Sequence, residues 1–391
     1  MDNFDIIYGL LVAPAANVFT IFGNPGADGD IDTWILGVRK TYRMHAKVLH
    51  PDVNPKRKAK ADEAFGRLTK FYDAAQRYAK TGTLETKSEA ASVGFPVVFK
   101  SRRYEYILEE KLCIGGTAGI FRGTCDGRKL GDRRNIIFKI AHRETDADLM
   151  HRESKFLTRI RDYHKTLSDE MAFVSRLVPN YHESFIILDG GVKKTANVFF
   201  CDEEFPTGWY TAEEIHQAYP RGISTRIAAF IFNRGLQALG SAHKCGWIHG
   251  GVTPQHLLVH PESHLGMIVD WTNATELGSP EGIAYADKKR WSVMLPPEIL
   301  SPAGRAGTAA DVYMLAATIV YLLGGKFESK NISLPPTVEA SIVEFLNRCL
   351  QPMVRARPRD ALTAFNELHG VLSKVFGKRK FVEFVMPEKT K

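Results

Sequence analysis

Cysteine is scarce in this 391-residue sequence: Cys113, Cys125, Cys201, Cys245 and Cys349 lie far apart and no C-x-x-C pair occurs. An odd, scattered set argues against a disulfide framework and for reduced thiols in a cytoplasmic setting. Long apolar runs are missing as well. The longest near the start, Ile6 to Phe22, is broken by Pro14 and Asn17 and follows Asp2 and Asp5 instead of a basic segment. It is a poor signal peptide and too short to span a bilayer, so no membrane association is expected. No internal repeat or low-complexity tract is found. The net charge of +8 raises the question of nucleic acid, but no arginine–aromatic alternation, zinc-finger spacing or RNA-binding signature accompanies it, and nucleic acid is not an expected partner.

What remains is the composition of an ordinary globular protein, at a length that suggests two or three domains. Basic residues concentrate between Arg39 and Lys60 and in the tail around "GKRKF" (Gly377 to Phe381). The tail is expected to be solvated surface. The first cluster has a pattern. Trp34, Ile35, Val38, Tyr42 and Ala46 recur at helical spacing, and Arg39, Lys40, Arg43 and Lys47 line one outward face. "HPDVNP" (His50 to Pro55) then stops the helix, because a residue before proline avoids the α region. From about Lys60 a second helix follows through Phe65, Leu68, Tyr72, Ala75 and Tyr78. Two antiparallel helices with a polar tip form a helical hairpin.

These residues resemble the J-domain family of DnaJ-type cochaperones. The likeness runs through "FTIFGNPGADG" (residues 19 to 29), "KTYRMHAKVLHPDVNP" and "ADEAFGRLTKFYDAAQ". About four to six extra residues precede the second helix, enough for a longer loop or an added turn. The resemblance implies stimulation of a DnaK-type chaperone ATPase. It assigns the triggering contact to His50, Pro51 and Asp52, and docking on an acidic face of the partner to Arg39, Lys40, Arg43 and Lys47.

Beyond a polar, glycine-bearing stretch from Lys80 to Pro96, the character changes. Short β-rich runs appear at Tyr104–Cys125, "NIIFKIA" (Asn135 to Ala141), "SFIILDGG" and "TANVFFCDEE", with a helix through "ADLMHRESKFLTRI"; from Ser224 onward the pattern is mostly helical. This order resembles the protein-kinase superfamily across roughly residues 100 to 375. Lys139 matches the strand lysine that holds nucleotide phosphates, and Glu153 its helix partner. "IHGGVTPQHLLV" aligns with H-R-D-L-K-P-x-N-I-L. "MIVDWT" stands where D-F-G belongs, with Asp270 as the magnesium ligand. Glu298 and Arg357 imply a buried ion pair, and Asp311 a brace under the catalytic loop.

The chemistry is not retained with the frame. Phosphoryl transfer needs an acceptor for the hydroxyl proton and metal-neutralised phosphates. Gly250 and Gly251 replace the arginine and aspartate of H-R-D, Thr253 the lysine, and His256 the asparagine for a second metal. Glycine can neither orient a hydroxyl nor take its proton. The three glycines of the nucleotide lid fall on Cys113, Gly115 and Ala118, with Gly116 and Gly119 alongside. Lys139, Glu153 and Asp270 leave either a nucleotide site for ATP with one magnesium ion, or an internal salt-bridge network that closes the lobes without ligand. His249, with its degenerate neighbours, is then structural.

The expected architecture is multidomain. It has an all-α J-like domain (1–80), a linker (81–99), an α+β two-lobed kinase-like domain (100–376, lobes 100–204 and 205–376) and a basic tail (377–391). The expected function is a cochaperone adaptor that requires no cofactor, whose kinase-like domain binds a client or partner complex. An active phosphotransferase with a divergent loop is the alternative. His256, His260 and His264 recur every four residues, but no acidic or cysteine partner sits at ligand spacing, so a metal site on them is not expected. The apolar helix from Ile227 to Leu239 is expected to be a core helix.

Overall fold

The computed structural model describes residues 3–12, 16, 18–23, 31–81, 96–101, 104–127, 133–189, 192–202, 205–279, 291–301, 305–327, 332–378 and 380–387. The chain divides into two compact units, Met1–Val93 and Gly94–Lys391.

In the first unit the early apolar run becomes two helices, α1 (Asn3–Val12) and α2 (Val18–Phe22), and the expected hairpin is α3 (Ile31–Leu49) with α4 (Lys58–Thr81). Trp34, Ile35, Val38 and Leu49 of α3 are buried against Ala61, Ala64, Leu68 and Ala75 of α4. Alanines on α4 let the helix axes approach closely, and Tyr42 stacks on Tyr72 with 4.2 Å between ring centroids. The residues before α4 fold as two 3-10 turns, Pro51–Val53 and Pro55–Arg57. Each opens on a proline, whose missing N–H matters least at a helix start. Residues 24–30, at the end of the "FTIFGNPGADG" stretch, and residues 82–95 of the expected linker lie outside the described residues.

The second unit has a sheet-rich small lobe and a helical large lobe. Six antiparallel strands, β1 (Val97–Lys100), β2 (Tyr104–Ile114), β3 (Ala118–Gly127), β4 (Arg133–Ala141), β5 (Asn180–Asp189) and β6 (Val192–Phe200), pair in the order β1-β2-β3-β4-β6-β5. Helix α5 (Ala147–His164) lies in the chain between β4 and β5. Here the expected linker boundary of 99 is corrected. Val97 to Lys100 pair with Leu108 to Glu105, because alternating Val97 and Phe99 half-bury against the small-lobe core. β5 also starts earlier than the "SFIILDGG" pattern suggests, at Asn180.

The large lobe follows with β7 (Tyr210–Thr211), α6 (Ala212–Ala218), α7 (Thr225–Lys244), β8 (Trp247–Ile248), β9 (Leu257–His260), β10 (Leu265–Ile268) and β11 (Thr275–Glu276). Then come α8 (Pro297–Leu300), α9 (Thr308–Leu322), β12 (Lys326–Phe327), β13 (Ile332–Ser333), α10 (Ala340–Cys349) and α11 (Ala361–Phe376). α7 and α9 are buried over most of their circumference. They meet at Gly235, where an added Cβ would come within 2.7 Å of Leu315. No helix among the described residues is long and apolar enough to cross a membrane.

The expectation of a purely solvated tail is corrected in part. Phe384 is buried in the large-lobe core, Tyr219 donates its hydroxyl proton to the Val385 carbonyl, and His264 stacks between Phe230 and Phe381. Charge drew attention to this segment, but its aromatic residues place it.

Candidate functional site

His50, Pro51 and Asp52 come together in the turn that follows α3. The side chains of His50 and Asp52 are 46% and 85% exposed. The His50 ring caps the turn, its Nδ1 accepting the Asp52 backbone N–H at 3.2 Å, and its edge meets Phe65. Beneath the turn, buried Asn54 donates to the carbonyls of Val48 and His50 at 2.7 and 3.0 Å, and accepts from Arg57 Nε at 3.1 Å. The tip is thus fixed from below and open above. Arg39, Lys40, Arg43 and Lys47 are all exposed on α3, as their spacing requires. With exposed Leu36 and Met44, a residue pair that charge-based reading missed, they line a shallow depression of about 340 Å³.

In the second unit, the residues singled out as a nucleotide site meet across the two lobes. Lys139 on β4 donates to Glu153 on α5 and to Asp270 after β10, each at 2.8 Å. Glu153 also accepts the Trp271 backbone N–H at 3.1 Å and the Asn197 side-chain amide at 2.9 Å. Asp270 accepts from the Thr272 hydroxyl at 2.7 Å, and its other oxygen lies 3.2 Å from His256 Nε2. The opposite ring nitrogen, Nδ1, is 2.7 Å from the Gly251 carbonyl. A carbonyl can only accept, so the Nδ1 of His256 carries a proton and donates it to Gly251.

The titration directions follow from these neighbours. Burial opposes the His256 charge, yet the Asp270 carboxylate outweighs it and raises the pKa above the usual histidine value. Burial likewise works against the Lys139 ammonium, and Asp270 with Glu153 hold it above its ordinary value. Burial would raise Asp270, but Lys139 and His256 keep it well below the carboxylate range. Asp270 sits in the left-handed backbone region at φ 61°, a conformation costing a non-glycine residue about 1–3 kcal/mol and held here by these contacts.

The degenerate loop is braced from beneath. Asp311 accepts the backbone N–H groups of His249 and Gly250 at 2.8 and 2.9 Å, and His243 Nε2 at 3.0 Å. Gly250 has φ 74°, where a side chain would be strained, which gives a structural reason for glycine. His249 Nδ1 accepts the Gly251 N–H, so Nε2 bears the proton given to the Val269 carbonyl. Burial pushes His249 down to about 4 and keeps it neutral. Its ring lies against Trp271, which stacks on Phe156 at 4.1 Å. Thr253 is fully buried and its hydroxyl has no hydrogen-bond partner among the described residues; it supplies no charge where the family has lysine. Glu298 and Arg357 form the expected bidentate pair at 2.6 and 3.0 Å.

Magnesium asks for near-octahedral oxygen ligands. Asp270 accepts from Lys139 and Thr272, and the His256 ring stands 3.2 Å from its other oxygen, where the family has an asparagine. Asp270 is the carboxylate that would hold such an ion, with His256 beside it as an imidazole. The Gly115 N–H is donated to the Ala118 carbonyl, and its carbonyl accepts from His142 Nε2 at 2.8 Å. Ile137 stands where the family's V-A-I-K pattern has alanine and packs against a core cluster that draws on both lobes. That substitution was readable beside Lys139 and was missed, because attention to charged motifs passes over an aliphatic exchange. The histidines at 256, 260 and 264 do not converge: His260 bonds Ser263 and His264 stacks on phenylalanines.

No family model matches the chain. It is similar to serine/threonine-protein kinase D of Synechocystis sp., 23% identical over 203 residues, 46% of this chain and 39% of the relative. The chain thus spans about two-fifths of that curated relative's length. It is also similar to the crystal structure of a kinase domain, at a TM-score of 0.51 and 14% identity, covering 70% of this chain and 95% of that one. At such identity the likeness is one of fold: the chain contains a two-lobed, protein-kinase-like fold.

Proposed function

We propose that this protein is a cytoplasmic adaptor that recruits and activates a DnaK-type chaperone through its first unit, and holds a protein client or partner complex with its kinase-like unit. The observation that carries the reading is the His50-Pro51-Asp52 turn, fixed from below by Asn54 and exposed at the end of a helix with a continuous cationic face. A positive stripe speeds encounter with an acidic partner and fixes its orientation. Tethering then presents whatever the second unit grips at roughly millimolar effective concentration.

The kinase-like unit serves in this reading as a binding module. Gly251 offers no carboxylate to take a hydroxyl proton, and His256 puts an imidazole where the family has asparagine. A second reading, an atypical phosphotransferase, is favoured by one observation: Lys139, Glu153 and Asp270 are joined as a transfer site would need them. The adaptor reading is tested by the steady-state ATPase of a DnaK-type chaperone with and without this protein. Wild type should stimulate it, and His50→Gln should remove nearly all of the stimulation; equal stimulation by the variant would reject the reading.

A further inference from the structure

Residues 380–387 run beyond the last helix as an extended segment on the large lobe. Exposed and less exposed residues alternate along it: Val382, Phe384 and Met386 pack against the core, while Phe381 and Val385 are 71% and 61% exposed. That is the period of a β-strand. Yet among the described residues no main-chain to main-chain hydrogen bond joins the segment to the lobe. We propose that this tail is an intramolecular ligand, and that the groove beneath it, walled by Tyr219, Phe230 and His264, is a peptide-binding site. Its partner is an extended protein segment with an aromatic residue between two apolar ones at alternate positions. The proposal rests on the reading of the kinase-like unit as a binding module and names what that module binds.

The walls of the groove are held by bonds that do not involve the tail. Tyr219 closes α6, its N–H donated to the Ile215 carbonyl and its own carbonyl accepting from Gly222, each at 2.9 Å. Phe230 lies on α7 and stacks almost parallel to His264, with 4.2 Å between ring centroids. His264 stands in the turn between β9 and β10, where Arg234 of α7 donates to its carbonyl at 3.2 Å. The tail is attached through side chains. Phe384 is 4% exposed, its ring 6.1 Å from Tyr219 and 6.5 Å from Phe230, and Phe381 stacks on His264 at 4.3 Å. The Tyr219 hydroxyl donates to the Val385 carbonyl, and the His264 ring reaches the Val382 main chain. One buried aromatic anchor with alternate apolar side chains beside it is how recognition peptides sit in grooves. None of these contacts requires the segment to belong to the same chain. The tether is short, since α11 ends at Phe376 and Gly377 turns the chain at φ 64°. It supplies the tail at roughly millimolar effective concentration, so a partner segment has to compete with it.

The test uses the full-length protein and a synthetic peptide of residues 380–387, KFVEFVMP. A fluorine label on the Phe384 ring of the protein reports by NMR whether the tail is seated. With peptide at about 1 mM, comparable to the tethered concentration, the resonance should divide between a seated and a released position. A peptide carrying Phe384→Ala should leave it unmoved. In the protein, Phe384→Ala removes the anchor of its own tail and opens the groove. This variant should bind fluorescent peptide at least about tenfold more tightly than the wild type does, and adding Phe230→Ala should abolish that binding. Should Phe384→Ala fail to fold, the labelled protein decides alone. A resonance that stays seated at every peptide concentration, or a folded Phe384→Ala protein that takes up no peptide, would overturn the proposal, because the tail is then a fixed part of the lobe. A doubled mass in light scattering with no response to peptide would assign the groove to the tail of a second copy, and overturns it too. A labelled-phosphate assay on the same samples separates the two failures. Incorporation rejects the binding-module reading whatever the peptide does, whereas failure of the peptide without incorporation rejects the groove alone.

Discussion

Two histidine-led turns in this protein are built in opposite ways. His50-Pro51-Asp52 is exposed, its inward bonds are made mainly by its neighbour Asn54, and its own side chains are left to face outward. His249-Gly250-Gly251 is buried, and its backbone and ring donors are taken up by Asp311, Val269 and the loop itself. A motif whose side chains stay largely exposed is open to contact. One whose donors are all committed is architecture. The difference separates an exposed turn from a loop built into the core.

The largest way to break this contrast is at Asp311. Replacing it by alanine strands the buried donors of His249, Gly250 and His243, and should cost the second unit about 3–5 kcal/mol. Equilibrium urea unfolding would register it, and a loss under about 1 kcal/mol would mean that the loop is not held as described.

A pH series sharpens the same point. The unfolded chain takes up a proton on His249 near pH 6.5, while the folded state resists until about 4. Acid therefore favours the unfolded state: the contribution is fully present above pH 6.5 and is lost as pH falls toward 4, by roughly 3 kcal/mol. Comparing wild type with His249→Phe isolates this from other buried histidines, and the variant should show the shallower acid dependence.

At the exposed turn the order reverses. Asp52→Asn should change stability by no more than about 0.5 kcal/mol while abolishing stimulation of the chaperone ATPase. A large stability loss there would erase the distinction between the two turns. The smallest effect is expected on the helix face. Arg43→Glu should slow association with the chaperone by about tenfold at low ionic strength, with the difference shrinking as salt is raised, measured by stopped flow. A salt-independent change would place Arg43 outside the steering surface.

Much of this was legible in the sequence, for reasons tied to particular residues. The helical hairpin followed from Trp34, Val38 and Tyr42, whose period is strong and whose stop at His50-Pro51 is unambiguous. The joining of Lys139, Glu153 and Asp270 followed from motif order. Other features could not be read. β1 carries only a few alternating residues, too few for periodicity to separate from a linker. Burial of Phe384 depends on Tyr219 and Phe230, more than a hundred positions away in the chain. His256 was visible as a missing asparagine, but its surroundings were not, because they depend on Gly251 turning a carbonyl toward one ring nitrogen while Asp270 faces the other. Asp270 in turn adopts a left-handed backbone that no local pattern demands.

The central claim is that the kinase-like frame has been kept without its chemistry, and incubation of purified protein with labelled ATP and magnesium tests it most directly. The account predicts incorporation no greater than that of Lys139→Ala. Incorporation clearly above that background, lost in both Lys139→Ala and Asp270→Asn, would contradict it.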